Sequence, residues 1–247
     1  MVMQEQTTPS ELIGSRLRDR IKVYANINRA TQDRTPAGFV KAALRARDQG
    51  FSAFKAAPFD GLTPSSCASL EGKKKIHHGI EVISALREAL GSEALLMVDG
   101  HWRFDEAGAM YALKELQAAK LHWYECPIAE THAHWPATRR IRAAANAQGV
   151  LLAAQNGVQF SPHNPSGPIC TWHSLQVAAA PGCSMLEIQF DESHLYDEIQ
   201  TESALQLQNG ELTVSNRPGF APGLQLAVLE KHPYQAVPPG AETLLNR

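Results

Sequence analysis

An α/β fold of the (β/α) barrel type, with fewer units than a complete barrel, is predicted by three features of the sequence. The chain has 247 residues, and about 250 residues are typical of a complete eight-unit barrel. Apolar strand patterns alternate with amphipathic helix patterns from residue 21 to residue 154, which predicts a parallel sheet covered by helices. Near residues 154–155 one strand pattern follows another after a short turn signal. The prediction is therefore an incomplete TIM-type barrel.

Short apolar runs bounded by polar, glycine or proline residues predict the strands. In chain order, these segments are residues 21–28, 51–58, 95–102, 121–128, 150–154, 158–164 and 185–190. Apolar residues at turn spacing and helix start and stop signals place the helices at residues 35–49, 78–91, 104–119, 135–148 and 170–180. The polar stretch 59–72 is predicted as a loop long enough to be functional. Residues 215–247 are rich in proline and glycine and are predicted to be irregular.

The break at residues 154–155 limits the sheet. Three residues, Gln155-Asn156-Gly157, separate two strand patterns, whereas a crossover between parallel strands needs about a dozen or more. Either the two strands form a hairpin or the units between them are absent. An incomplete sheet has two open edges, which promote association. We therefore expect a homo-oligomer, or a chain from which residues have been lost, with residues 21–214 as the partial barrel.

Composition excludes several classes of function. The net charge is −2, with 44% hydrophobic and 19% charged residues, so there is no electrostatic case for a nucleic acid or an anionic membrane as partner. Four cysteines occur without a C-x-x-C pair, which argues against a zinc ribbon or a disulfide framework and fits a reducing compartment. The sequence has no signal-peptide pattern and no long apolar segment. We predict a cytoplasmic location.

The segment from Leu95 to His101 carries the first candidate site. Four apolar residues run into Asp99, Gly100 and His101, and residues two apart on a strand point to the same side. Asp99 as an oxygen ligand and His101 as an acid or base suit a divalent-cation site. The alternative is that Asp99 caps the next helix and His101 packs under a loop.

Five strand ends, taken together, resemble the barrel domain of the enolase superfamily, in its mandelate racemase and muconate lactonizing branch. They are Gly50-Phe51-Ser52-Ala53-Phe54-Lys55, Val98-Asp99, Trp123-Tyr124-Glu125-Cys126-Pro127, Ser161-Pro162-His163-Asn164-Pro165-Ser166-Gly167-Pro168 and Leu186-Glu187. They resemble strands two, three, four, seven and eight of that barrel, in the correct order. The likeness covers most of residues 12–225, and residues 1–20 resemble a remnant of the linker to the family's capping domain.

The resemblance implies the chemistry of an acid-sugar dehydratase. Asp99 and Glu125 would bind Mg²⁺, which stabilises the enediolate formed when the proton beside a carboxylate is removed. His163 would be the base, and His101 would be the acid that protonates the departing 3-hydroxyl group. The implied substrate is a small carboxylate, a sugar acid, and the product is a 2-keto-3-deoxy acid.

Further residues receive roles from the same resemblance. Lys55 would place positive charge near the substrate carboxylate, and Glu187 would hydrogen-bond to the intermediate, although a buried structural role for Glu187 is an equal alternative. Asn28, Trp102 and Arg103 follow strand ends and are predicted to contact the substrate.

Departures from the family pattern leave other functions open. Ala57 replaces the second lysine of the family's pair, which makes a racemase or cycloisomerase the weaker alternative. The third metal-ligand carboxylate of strand five, and the strand-six aspartate that usually orients the catalytic histidine, have no counterpart, and roughly two βα units of about 30 residues are missing. The capping domain is missing as well. A catalytically inactive remnant of a barrel is therefore a second hypothesis.

Overall fold

The computed structural model describes residues 8, 10–11, 16–152, 161–180, 182–191, 193–201, 206–217 and 223–233. The strands are β1 Arg20–Asn26, β2 Ala53–Ala56, β3 Leu95–Asp99, β4 Trp123–Glu125, β5 Leu151–Leu152, β6 Leu186–Gln189 and β7 Glu211–Thr213. The α-helices are α1 Pro36–Asp48, α2 Leu70–Leu90, α3 Glu106–Glu115, α4 Trp135–Ala147, α5 Pro168–Ala178, α6 Leu195–Glu198 and α7 Leu226–Lys231. Short 3₁₀ helices are Pro64–Ser66, Gln117–Ala119 and His132–His134.

Six of the strands form one parallel sheet in the order β5-β4-β3-β2-β1-β6. β7 pairs antiparallel with β1, from Arg20 opposite Thr213 to Lys22 opposite Glu211. Within the described residues β5 and β6 do not pair with each other, so the barrel is not closed. This arrangement confirms the predicted fold class, an incomplete (β/α) barrel. Because β6 lies beside β1, the chain ends its parallel sheet where the last strand of a barrel would lie.

Alternation along the strands produces two faces with different contents. One face packs against the helices through the large apolar core. The other face forms a smaller interior layer of Tyr24, Ala53, Met97, Trp123 and Met185, in which the Tyr24 and Trp123 rings meet edge to face with centroids 5.2 Å apart. Successive strand residues point to opposite faces, so the next inward residue of each strand lies one layer closer to the carboxyl edge of the sheet.

The second helix begins earlier than the sequence predicted. The predicted loop over residues 59–72 ends three residues early, and the predicted helix start at residue 78 is wrong. The helix α2 begins at Leu70 after Ser69, whose side chain accepts a hydrogen bond from the Gly72 amide. The first turns of α2 have lysines on the exposed face, and this polar composition resembles that of a loop. The opposite face of the helix nevertheless buries Ile76 and Gly79. The hydrogen bond from the Ser69 cap stabilises this start.

Other predicted elements differ at their ends or lie outside the described residues. Part of the tail is helical, since α7 falls within the predicted irregular region, and it buries no residue. The predicted strand 158–164 is not a strand over residues 161–164, and residues 158–160 lie outside the described part of the chain. The break at residues 154–155 lies outside it as well, as does most of residues 1–20. No described helix has the length and apolar character needed to cross a membrane.

Candidate active site

A layer of polar side chains lies at the carboxyl edge of the sheet, two residues beyond the apolar interior layer on five strands. Its members are Asn26 of β1, Lys55 of β2, Asp99 of β3, Glu125 of β4 and Glu187 of β6. The registers place Asn26 opposite Lys55 and Asp99 opposite Glu125. Period-two alternation and parallel pairing together bring these groups to one place, and this edge is where such folds carry their chemistry.

Lys55 is the centre of the polar layer. Its Nζ lies 2.9 Å from Glu125 Oε1, 3.2 Å from Glu187 Oε1 and 3.5 Å from Asp99 Oδ2. The side chain is 2% exposed, and Nζ lies 5.4 Å from the centroid of the Tyr24 ring. Burial alone would lower the pKa of Lys55, but the negative charge around it outweighs burial and raises that pKa well above its usual value. Lys55 is therefore a permanent cation among three carboxylates.

Glu187 is fully buried and accepts hydrogen bonds at both oxygens. Oε1 accepts from Asn26 Nδ2 at 2.6 Å, and Oε2 accepts from the Asn164 amide at 3.0 Å. Oε2 also lies 3.0 Å from His163 Nδ1. Burial opposes the charge of this carboxylate, yet the His163 hydrogen bond and Lys55 lower its pKa. Glu187 is therefore ionised at neutral pH.

His163 lies on the segment before α5, and its side chain is 74% exposed. The hydrogen bond to Glu187 raises the pKa of His163, although partial burial acts in the opposite sense. The adjacent Asn164 is fully buried and donates from Nδ2 to the Glu187 carbonyl oxygen at 2.9 Å. The histidine therefore presents a solvent-accessible ring from a main chain that is tied to β6.

Asp99 and His101 contact each other at the carboxyl end of β3. The His101 amide donates to Asp99 Oδ1 at 2.9 Å, and His101 Nε2 lies 3.2 Å from Asp99 Oδ2. Burial would raise the pKa of Asp99, but the His101 hydrogen bond and Lys55 lower it. The next helix, α3, is capped by Asp105, which accepts from the Gly108 amide, so helix capping is not the role of Asp99.

Two carboxylates and a thiol could bind a metal ion. Ligand atoms of Asp99, Glu125 and Cys126 lie within 4.8 Å of one another. Glu125 Oε2 accepts from Trp123 Nε1 at 3.1 Å, and burial raises the pKa of Glu125. Magnesium prefers oxygen ligands and is commonly held by one or two carboxylates with several waters. The two carboxylates therefore fit Mg²⁺, whereas the thiol does not belong to its preferred donor set.

The three predicted substrate contacts differ in their surroundings. Asn28 is buried, and its Oδ1 accepts from Arg34 Nη2 at 2.9 Å and from the Ala57 amide at 3.3 Å. Arg103 Nη1 donates to the Phe59 carbonyl oxygen at 2.7 Å. The Trp102 side chain is 52% exposed, and the residue adopts a left-handed φ of 57°. Trp102 is the member of this group that offers free surface.

Sequence reasoning missed Asn26, which belongs to the polar layer through its bond to Glu187. The available signal was its position, since Asn26 ends β1 as Lys55 nearly ends β2. The structure does bring together Lys55, Asp99, Glu125 and Glu187, with His101 and His163 attached to two of the carboxylates.

Sequence comparison relates the chain to one protein family and to sugar-acid dehydratases. The sequence profile of the family described as Enolase C-terminal domain-like matches residues 38–150 and 144–225. The chain is 26% identical to the D-xylonate dehydratase of Haloferax volcanii over 90% of its own length and 64% of that protein. It is also 26% identical to the D-gluconate dehydratase of Thermoproteus tenax, over 92% of its own length and 52% of that protein.

Solved structures with the same fold include two crystal structures of related proteins. A mandelate racemase/muconate lactonizing enzyme from a Jannaschia species matches with a TM-score of 0.68 and 19% identity, over 92% of this chain and 69% of that one. A member of the enolase superfamily from Salmonella Typhimurium matches with a TM-score of 0.70 and 16% identity, over 92% of this chain and 71% of that one. The chain therefore shares their fold, while it spans 64% and 52% of the two dehydratases named above.

Proposed function

Because the chain belongs to the Enolase C-terminal domain-like family, we propose that it acts as a dehydratase of a sugar acid. The observation that carries the proposal is the pair of imidazoles on two different carboxylates around one ammonium group. His101 lies on Asp99, His163 lies on Glu187, and Lys55 contacts both carboxylates. Removal of water from a sugar acid needs one group that takes a proton and another that gives one.

In the proposed reaction, His163 takes the proton from the carbon beside the substrate carboxylate, and the electron pair of that C–H bond forms an enediolate. The C–O bond at the third carbon then breaks, and His101 gives its proton to the departing hydroxyl group, which leaves as water. The enol that remains becomes the 2-keto-3-deoxy acid. The exposure of both imidazoles, 74% for His163 and 40% for His101, supports their access to a substrate.

Positive charge balances the intermediate in this proposal. Asp99 and Glu125 would hold Mg²⁺, which supplies positive charge to the enediolate when bound. Lys55, a permanent cation by its surroundings, adds to the attraction for a substrate carboxylate. Among the predicted substrate contacts, exposed Trp102 would cover one side of the sugar acid, while Asn28 and Arg103 would support the loops around it.

Deuterium exchange tests this function directly. D-xylonate, D-gluconate and D-galactonate would each be incubated with the protein and Mg²⁺ in D₂O, and exchange at the second carbon would be followed by NMR. We expect exchange and 2-keto-3-deoxy acid with at least one substrate, and loss of both in His163→Asn. His77→Asn is the matched control, because His77 lies on α2 with a 67% exposed side chain paired to Glu81.

A second candidate function is a non-catalytic remnant of a barrel, which the sheet favours, because its described strands β5 and β6 do not pair with each other. Calorimetric titration distinguishes the candidates. Heat of Mg²⁺ binding that disappears in Asp99→Asn supports the enzyme, whereas no binding at millimolar Mg²⁺, with or without a sugar acid, supports the remnant.

We also propose a homo-oligomer in the cytoplasm. The sheet supports the oligomer. Its described strands β5 and β6 each pair with a parallel neighbour on one side, and association with a second copy would cover the other side of these strands. Sedimentation equilibrium would test it, with a mass of at least twice 27.0 kDa expected and a monomer at micromolar concentration counting against it.

A further inference from the structure

The carboxylate of Glu187 is surrounded by hydrogen-bonding groups and a cation of the protein itself. Its Oε1 lies 2.6 Å from Asn26 Nδ2 and 3.2 Å from Lys55 Nζ, and its Oε2 lies 3.0 Å from both His163 Nδ1 and the Asn164 amide. An ionised carboxylate has about four lone-pair positions and no hydrogen to donate. Three of these positions meet hydrogen-bonding groups of Asn26, His163 and Asn164, and the ammonium group of Lys55 pairs with the same carboxylate as a counter-ion.

These contacts, together with burial, limit what Glu187 can do for a substrate. The side chain is 0% exposed, and an acceptor without a proton cannot donate a hydrogen bond to a negatively charged oxygen. To accept from a substrate hydroxyl group, the buried oxygens of Glu187 would first have to be uncovered, because Asn26, Lys55, His163 and Asn164 surround them. Contact with the reacting atoms is thus disfavoured, while contact with His163 is already made.

We propose that Glu187 is a positioning residue, which holds His163 with its proton on Nδ1 and so leaves Nε2 as the proton acceptor. What Nε2 then does rests on the proposed function, but the tautomer itself does not. The sequence supports the assignment, because Glu187 is the sole acidic residue between Glu130 and Asp191. A carboxylate behind an imidazole both selects the tautomer and orients the ring.

Hydrogen bonds of Asn164 fix the main chain of the His163 segment relative to Glu187. Asn164 donates from Nδ2 to the Glu187 carbonyl oxygen at 2.9 Å and to Thr171 Oγ1 at 2.8 Å. Thr171 Oγ1 in turn lies 2.7 Å from the hydroxyl group of Tyr196 on α6. Asn164, the residue next to His163, is therefore bonded directly to β6 and α5, and through Thr171 to α6. Packing contributes little to the exposed ring, so the bond to Glu187 sets its orientation.

The experiment is a ¹⁵N NMR measurement of histidine tautomers on the full chain, with the His163 signals assigned by their loss in His163→Asn. We expect the Nδ1–H tautomer to dominate for neutral His163 in the unmodified protein and this excess to be lost in Glu187→Gln. The pKa of His163 should also fall in Glu187→Gln, with Lys55 and Glu125 as the other charged groups near the ring. Glu81→Gln, which alters the exposed His77–Glu81 pair on α2, should leave His163 unchanged.

Each outcome decides one claim. A dominant Nε2–H tautomer in the unmodified protein, or an unchanged tautomer in folded Glu187→Gln, overturns the positioning role. If Glu187→Gln does not fold, the measurement on the unmodified protein still decides. A dominant Nδ1–H tautomer without deuterium exchange in any substrate would refute the dehydratase and leave the positioning role of Glu187 intact. Deuterium exchange that depends on His163, together with a dominant Nε2–H tautomer, would support the dehydratase and refute the positioning role.

Discussion

Replacement of Lys55 by methionine would remove the ammonium group that pairs with three carboxylates, of which Asp99 and Glu187 are buried and Glu125 is 22% exposed. At an effective dielectric constant of about 20, each contact at 2.9 to 3.5 Å corresponds to roughly 5 kcal/mol of gross attraction. Desolvation cancels much of that, and loss of one partner from a buried ion pair costs about 3–5 kcal/mol. With three partners here, we expect the free energy of unfolding to fall by about 4–5 kcal/mol at pH 7.

The pH dependence gives this prediction a sign. In the unmodified protein the pKa values of Asp99 and Glu187 are lowered, so these groups contribute stability above their unfolded-state pKa near 4, and that stability is lost as pH falls through the lower folded pKa. In Lys55→Met, burial without a counter-charge raises the carboxylate pKa values. The variant should then gain stability as pH falls from 8 to 5 more steeply than the unmodified protein, in which Glu125 is the one carboxylate of the three with a raised pKa.

Urea unfolding followed by circular dichroism at pH 5, 6, 7 and 8 measures both effects. Lys74→Met is the control, because Lys74 pairs with Glu71 at 3.8 Å on the surface with both side chains 67% exposed, and such pairs contribute about 0–1 kcal/mol. A loss below about 1 kcal/mol for Lys55→Met, or the same pH slope in both proteins, would refute the electrostatic account of the polar layer.

Three further predictions follow from single contacts. Because Glu187 raises the pKa of His163, the pair stabilises the fold below the unfolded-state pKa near 6.5, and this stabilisation is lost as pH rises through the folded-state pKa. In urea unfolding, His163→Gln should therefore reduce stability at pH 5.5 more than at pH 8.5, by under about 1 kcal/mol because the ring is exposed. An equal loss at both pH values would contradict this prediction. Gly79→Ala should lower stability by about 1–3 kcal/mol in thermal unfolding, because its Cβ would lie 2.2 Å from Phe59 Cε1, and an unchanged melting temperature would show that the ring moves freely. In calorimetric titrations, Cys126→Ala should leave the Mg²⁺ affinity within about twofold but weaken the binding of Cd²⁺, because a thiol is a ligand for soft ions and not for Mg²⁺. Equal weakening for both ions would mean that the thiol supports the site without being a selective ligand.

Much of the fold was predictable because it depends on local sequence pattern. The apolar runs that end at Lys55, Asp99 and Glu125 predict strands, and an odd–even alternation predicts which residues share a face. The alternation of strand and helix patterns predicted the parallel sheet, and the short turn signal between two strand patterns near residues 154–155 predicted its incompleteness. The start of α2 was missed because the polarity of residues 70–75 suggested a loop, whereas the cap at Ser69 acts through one hydrogen bond.

The site depended on contacts between residues distant in the sequence. His163 and Glu187 are 24 positions apart, and Lys55 meets Glu187 only because β6 lies across β1 from β2. Spacing placed each residue at a strand end, but the number of donors around one buried carboxylate is a property of the folded layer. Residue types and strand periodicity therefore determined which groups the edge of the sheet carries. Tertiary packing decided which charges pair, because the energy of a buried charge depends on the neighbours that replace its water.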